Sequence, residues 1–282
     1  MKLSLYYQSL DGKKVQCHLC PHNCVIQPDK AGICRQRKNI DGVLYSLNYG
    51  QVVSANLDPM EKKPLYHFYP GEKILSIGTN GCNLSCQFCQ NWSISQQDSP
   101  AEEITPEDVV RMAKSYKARF IAYTYNEPFI WYEFVCETAK LAREAGLENV
   151  LVTNGYVTRE PLEKILPFID AMNIDLKSIR DEFYKKVCSG SVAEVLETIK
   201  RAVKSCHVEL TNLIIPTLND SEADLNGLVD WIYDNVGDSV PLHFSRYFPC
   251  YKMNIEPTPR ETLKRAEAIA KKKLKYVYLG NM

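Results

Sequence analysis

From residue 73 onward, short apolar runs alternate with longer stretches in which apolar residues recur every three to four positions. The runs 73–79, 120–125, 149–153, 171–176, 208–215 and 241–247 read as strands, with a last short one at 276–280. The stretches near 106–117, 128–145, 159–167, 192–205, 222–235 and 259–273 read as helices. Thr105-Pro106-Glu107, Ser221-Glu222 and Thr258-Pro259-Arg260 place a hydroxyl at the expected N-cap, twice with proline at the first helical position. Ala145-Gly146 supplies a stop. Six strand–helix pairs and a final strand predict an α/β fold, a parallel sheet curled into a partial barrel. The active site of such a barrel lies at the C-terminal ends of the strands.

The first 71 residues follow a different pattern and are expected to form a Cys-rich extension, with the barrel at 72–282. Residues 2–8 and 13–16 alternate around Asp11-Gly12, which predicts a hairpin; 43–49 and 51–57, split at Gly50, predict a second. The segment 58–71, DPMEKKPLYHFYPG, has three prolines and no period, and reads as a connector wrapping onto the barrel.

Composition narrows the function classes. With 45% hydrophobic residues the 282-residue chain builds a sizeable core. Lys plus Arg and Asp plus Glu both number 34, so no broad basic footprint for nucleic acid or an anionic membrane is expected. No apolar run reaches the roughly 18 residues of a membrane span, and the N-terminus lacks the apolar core of a signal peptide. Of eleven cysteines, four fall within 17–34 and three within 82–89. Clustered thiols in a chain expected to be cytoplasmic point to metal or redox chemistry rather than disulfides.

Residues 79–92 read TNGCNLSCQFCQNW, a C-x-x-x-C-x-x-C spacing directly after the first barrel strand. Three thiolates on one loop suit three irons of a 4Fe–4S cubane and leave the fourth iron without a protein ligand. An open iron is what S-adenosylmethionine (SAM) chemistry requires. The alternative, a structural zinc loop, needs a fourth ligand from a distant cysteine such as Cys136, Cys188, Cys206 or Cys250.

With Phe88 before the third cysteine, this motif resembles the signature of the radical SAM superfamily. Within it the chain resembles the pyruvate formate-lyase activating enzyme branch and, more closely, the AmmeMemoRadiSam system radical SAM enzymes. The segments carrying the resemblance are CHLCPHNC (17–24), DPMEKKPLYHFYPG (58–71), SIGTNGCNLSCQFCQNW (76–92), YTYNEP (123–128), VTNGY (152–156), MNIDLK (172–177) and HFSRYFPCYKM (243–253). The resemblance implies a partial (β/α)6 barrel, one SAM and one 4Fe–4S cluster on Cys82, Cys86 and Cys89. It also implies reductive cleavage of SAM to a 5′-deoxyadenosyl radical, with electrons from a donor such as flavodoxin or ferredoxin.

The resemblance further assigns cofactor contacts. Tyr125-Asn126-Glu127-Pro128 stands where the superfamily usually has Gly-Gly-Glu-Pro, so Asn126 and Glu127 are expected at the SAM amino group. Thr153 and Asn154 are expected near the ribose, Asp175 and Lys177 near the carboxylate, and Phe88 or Gln90 near the adenine. Val152 stands where activating enzymes often have Asp. Each residue has a plainer reading: Glu127-Pro128 as a helix start, Asn154-Gly155 as a turn, Asp175 and Lys177 as an exposed pair. On strand six, Arg246 is expected to bind an anionic group, and His243 to be a satisfied core histidine.

Cys17, Cys20, Cys24 and Cys34, with His18 and His22 among them, fit a four-ligand metal site. Zinc is the favoured ion; an auxiliary Fe–S cluster and metal-free packed thiols are the alternatives. Candidate substrates of the radical chemistry are a protein glycyl position, a peptide side chain or a small molecule. A non-enzymatic Fe–S carrier is the competing class, and it has no need of Glu127, Thr153 and Asp175 around its cluster.

Overall fold

The computed structural model describes residues 1–282. The chain begins with short strands: β1 (Lys2–Leu3), β2 (Tyr7–Leu10), β3 (Lys14–Cys17), β4 (Val25–Ile26), β5 (Arg37–Ile40), β6 (Val43–Ser46) and β7 (Gln51–Val52). β2 and β3 pair antiparallel around Asp11-Gly12, as the alternation predicts, and Gly12 takes the left-handed backbone that the turn needs. Residues 2–3 leave that hairpin and pair with β6 instead.

The second expected hairpin is not formed. β6 folds back on β5 through Asp41-Gly42, and β7 pairs with β10 (Glu102–Glu103). β8 (Ser54–Pro59) lies antiparallel along β9 (Lys73–Gly78), at the edge of the main sheet. An unpaired β9 would expose a row of backbone donors and acceptors, and β8 satisfies them. The main sheet therefore begins at Ser54.

Beyond β9 the sheet continues in parallel through β11 (Phe120–Tyr123), β12 (Glu148–Thr153), β13 (Ala171–Asp175), β14 (His207–Ile214), β15 (Leu242–Arg246) and β16 (Val277–Gly280). β8 and β16 remain at opposite edges, so the barrel is partial. The helices between strands are α1 (Pro106–Ser115), α2 (Tyr132–Glu144), α3 (Arg159–Ile165), α4 (Val192–Ala202), α5 (Glu222–Val236) and α6 (Arg260–Ala270). Thr105 and Asp108 close a capping box on α1, and Ser221 caps α5. Thr258 does not cap α6: its hydroxyl donates to the Ile214 carbonyl and accepts from the Tyr247 N–H. No helix is long and apolar enough to cross a membrane.

Strand alternation separates two faces. Leu75, Ile77, Ile121, Tyr123, Leu151, Met172 and Ile174 belong to the large core cluster that includes the helices. On the other face Ile74, Phe120, Ala122, Val150 and Ala171 pack against Met60, Leu65 and Phe68 of the connector, which forms the barrel floor. Beside that floor Glu209 is fully buried and accepts bonds from His243 Nε2 (2.6 Å), His207 Nε2 (3.0 Å) and the His67 N–H (2.7 Å).

Burial alone would raise the Glu209 carboxyl, but bonds from His207, His243 and the Tyr66 and His67 N–H groups bring it down to about 2. A depressed carboxyl contributes stability that is complete above its unfolded value of 4.5 and is lost as pH falls through about 2. Glu209→Gln should therefore lower stability by about 1–3 kcal/mol at pH 7. The difference from wild type should narrow as pH falls below the ordinary Glu range. Urea melts across pH check this, and identical stability at pH 7 would contradict it.

Candidate active site

The first parallel strand ends at Gly78, and the next eleven residues carry Cys82, Cys86 and Cys89 over the C-terminal ends of the strands. Gly78 is required there, since a Cβ would stand 2.8 Å from the Thr124 carbonyl oxygen. The cysteine loop is fastened from two sides. Ser85 and Gln87 donate their N–H groups to the carbonyls of Cys188 and Val187, on the turn after β13. From the segment after β15, the Lys252 N–H reaches the Gln87 carbonyl (3.0 Å) and Tyr251 stacks on Trp92.

The three cysteines line a cavity of about 400 Å³, within the roughly 300–1,000 Å³ usual for small-molecule sites. Phe88, Gln90, Asn126, Thr153, Asn154, Asp175 and Lys177 share its wall. Residues expected from four separate stretches thus meet at one place.

Their contacts explain how. Asn126 donates from Nδ2 to the Gly81 carbonyl (2.7 Å), tying the turn after β11 to the cysteine loop. Asn154 donates to Asn83 Oδ1 (2.9 Å) and toward Cys82 Sγ (3.6 Å). Asp175 holds the Lys177 ammonium at 2.8 Å. That ammonium lies 5.7 Å from the Phe88 ring centroid. Burial alone would lower Lys177, but Asp175 and the Cys86 and Cys188 sulfurs outweigh it and hold the pKa well above its ordinary value.

Glu127 does not form the cavity surface. It is fully buried directly behind it, where Oε1 accepts from Thr153 Oγ1 (2.8 Å) and the Phe129 N–H (2.9 Å) and Oε2 accepts from the Asn154 N–H (2.8 Å). Burial pushes its carboxyl up to about 7, against the lowering effect of those donors. A carboxylate has about four acceptor positions, so one remains. Arg246 is not in the cavity wall: its Nε donates to the Thr258 carbonyl (2.7 Å) and its guanidinium covers Phe248. His243 belongs to the floor with Glu209, and Tyr247 donates from its hydroxyl to the Met253 carbonyl.

Several site features were not read from the sequence. Lys63, taken as part of a connector, lines the cavity with only 2% exposure. Its ammonium and the Tyr125 hydroxyl share Asp58 Oδ2, at 2.8 and 2.7 Å. Tyr125 adopts φ 72°, the left-handed backbone that a Gly-Gly turn supplies without strain. The unusual motif DPMEKKPLYHFYPG was the available signal for Asp58 and Lys63. Cys188 is fully buried beside Cys86, and its thiol lowers the Cys86 thiol.

The four N-terminal cysteines face a separate, small enclosed cavity. It abuts the cysteine loop, because His22 donates from Nε2 to the Asn83 carbonyl (2.7 Å). No three His, Cys, Asp or Glu side chains anywhere in the structure stand at the spacing of ligands to a single ion, neither here nor at Cys82, Cys86 and Cys89.

Comparison with known proteins places this architecture. The Radical SAM superfamily model matches residues 76–232, more than half of the 282. An uncharacterized protein of Methanocaldococcus jannaschii is 49% identical over 288 aligned positions, covering 100% of this chain and 86% of that protein. A pyruvate formate-lyase-activating enzyme of Clostridium pasteurianum is 26% identical, covering 69% of this chain and 84% of its own. Among solved structures, a radical SAM methyltransferase from Sphaerobacter thermophilus shares the fold, with a TM-score of 0.60 at 17% identity over 75% of this chain and 67% of that one. With that family match spanning the cysteine loop and the strands β11 to β14, the chain belongs to the radical SAM superfamily of enzymes.

Proposed function

We propose that Cys82, Cys86 and Cys89 hold a 4Fe–4S cluster and that the adjoining cavity binds SAM. The observation that carries this is the convergence of the three thiols with Asn126, Thr153, Asn154, Asp175 and Lys177 in one cavity at the strand ends. The donor chemistry fits the group: three soft ligands on one loop would leave one iron open, and the neighbouring wall offers both donors and acceptors. Held there, a reduced cluster would supply the one electron for reductive cleavage of the S–C5′ bond of SAM, to methionine and a 5′-deoxyadenosyl radical that abstracts hydrogen.

The chain's own residues bind and orient. Asp175 and Lys177 face the amino-acid end of SAM, and Asn154 and Thr153 face the ribose. Glu127 sets both of the latter from behind the cavity wall through its buried bonds. Phe88 and Gln90 adjoin the adenine. Arg246, bonded to Thr258, is left out of SAM binding. A protein glycyl position is the substrate class we favour. This is supported by relatives named as a pyruvate formate-lyase-activating enzyme and a putative glycyl-radical enzyme activating enzyme. A small one-electron donor of the flavodoxin or ferredoxin type serves the cluster.

We further propose that Cys17, Cys20, Cys24 and Cys34 hold a structural metal, zinc in preference to a second cluster. Support comes from their sharing one enclosed cavity in a loop-rich segment whose strands have two to four residues.

Anaerobic reconstitution with iron, sulfide, SAM and dithionite tests the main reading. Methionine and 5′-deoxyadenosine should form only under reduction. A fully reconstituted protein that leaves SAM intact would overturn it.

A further inference from the structure

Arg37 is among the most deeply buried charged residues in the chain, at 1% exposure. It comes from β5, and its two terminal nitrogens donate to the two oxygens of Glu133 on α2, at 2.8 and 2.7 Å. The third donor, Nε–H, is buried without an acceptor. The residue lines the cavity that Cys17, Cys20, Cys24 and Cys34 share.

A buried orphan donor costs about 1–3 kcal/mol. A buried ion pair adds desolvation that its mutual attraction repays only when the remaining donors and acceptors are satisfied. Neutral thiols do not resolve this, because they are weak acceptors. Thiolates on a metal do, being anionic and strongly accepting. Four thiolates around a divalent ion also leave a net negative charge in an enclosed site, and nearby donors must stabilise it.

We infer that Arg37 is the positive partner of a four-thiolate metal centre at Cys17, Cys20, Cys24 and Cys34, with its Nε–H directed at the thiolates and Glu133 fixing the guanidinium. This rests on the proposal that these cysteines bind metal. Arg37 and Glu133 are positioning residues: neither is a ligand, and together they orient a dipole with its positive end toward the centre.

The test measures zinc and iron separately in anaerobically purified full-length protein, then follows metal release to a chelator. The variants are Cys20→Ala, Arg37→Met and the double variant Arg37→Met/Glu133→Leu. The double variant removes both charges, so that no unpaired carboxylate is left to unfold the protein. Wild type should carry a metal, beyond the irons of the radical cluster, that Cys20→Ala lacks. Both Arg37 variants should release it roughly ten- to a hundredfold faster. Zinc is expected; iron in its place supports the same role for Arg37, since four thiolates carry the charge either way. If the metal depends on Cys20 but leaves the double variant at the wild-type rate, the role of Arg37 is overturned and the metal site stands. If wild type holds no Cys20-dependent metal, the metal site itself is wrong and Arg37 falls with it.

Discussion

Replacing Cys86 with alanine should abolish both the cluster and SAM cleavage. Cys86 is the middle ligand of the proposed triplet and is 8% exposed, enclosed between its own loop and the turn that carries Cys188. Two thiolates cannot retain a cubane with one open iron, so the loss is expected to be complete rather than graded. Cys188 complicates the substitution, because its thiol lies beside Cys86 and could serve as a replacement ligand. The double variant Cys86→Ala/Cys188→Ala removes that route. Iron and sulfide content, the visible absorption of the cluster and 5′-deoxyadenosine yield together read the outcome. Partial activity in the single variant that disappears in the double variant identifies Cys188 as a substitute ligand. Wild-type yield from the double variant would contradict the assignment of the triplet.

Glu127→Ala should weaken SAM binding while leaving the cluster in place. The carboxylate is the only acceptor recorded for the Thr153 hydroxyl and the Asn154 N–H, and Asn154 in turn bonds Asn83 beside Cys82. Its removal leaves buried donors unpaired and frees the β12 turn to shift. With Thr153 and Asn154 no longer held, the change should cost about 1.5–3 kcal/mol, or roughly tenfold or more in Kd. Asp175→Ala, at the end of the neighbouring strand β13, should weaken SAM by a similar route through the loss of restraint on Lys177. Calorimetry on cluster-loaded protein measures both. Unchanged affinity in both variants would show that these residues serve the fold and not the cofactor.

The floor and the rim of the barrel divide the polar residues by task. At the floor, Glu209, His207, His243 and His67 satisfy one another and join the connector to β14 and β15. At the rim, donors and acceptors are left facing a cavity. Strand position alone separates the two groups, since interior side chains of one strand differ only in their height along the barrel. His243 and Arg246 lie three residues apart on one strand and so point to opposite faces: His243 reaches the floor and Arg246 turns to Thr258.

The sequence by itself determined the parallel strands, their helices and the position of the cysteine triplet beside the strand ends. Those features depend on local periodicity, capping and spacing, which operate over a few residues. Tertiary structure alone decided the pairings between distant positions. β8 leaves its expected hairpin because β9 offers it a longer antiparallel partner. Glu127 turns behind the cavity because donors from 26 and 27 residues away converge on it. Arg37 and Glu133 meet across 96 residues, and Cys188 comes to rest on Cys86. Closing such contacts costs chain entropy that rises only slowly with separation, so sequence distance scarcely selects among them. The selection comes from burial: a charge or donor removed from water accepts whichever partner the packed core brings within reach.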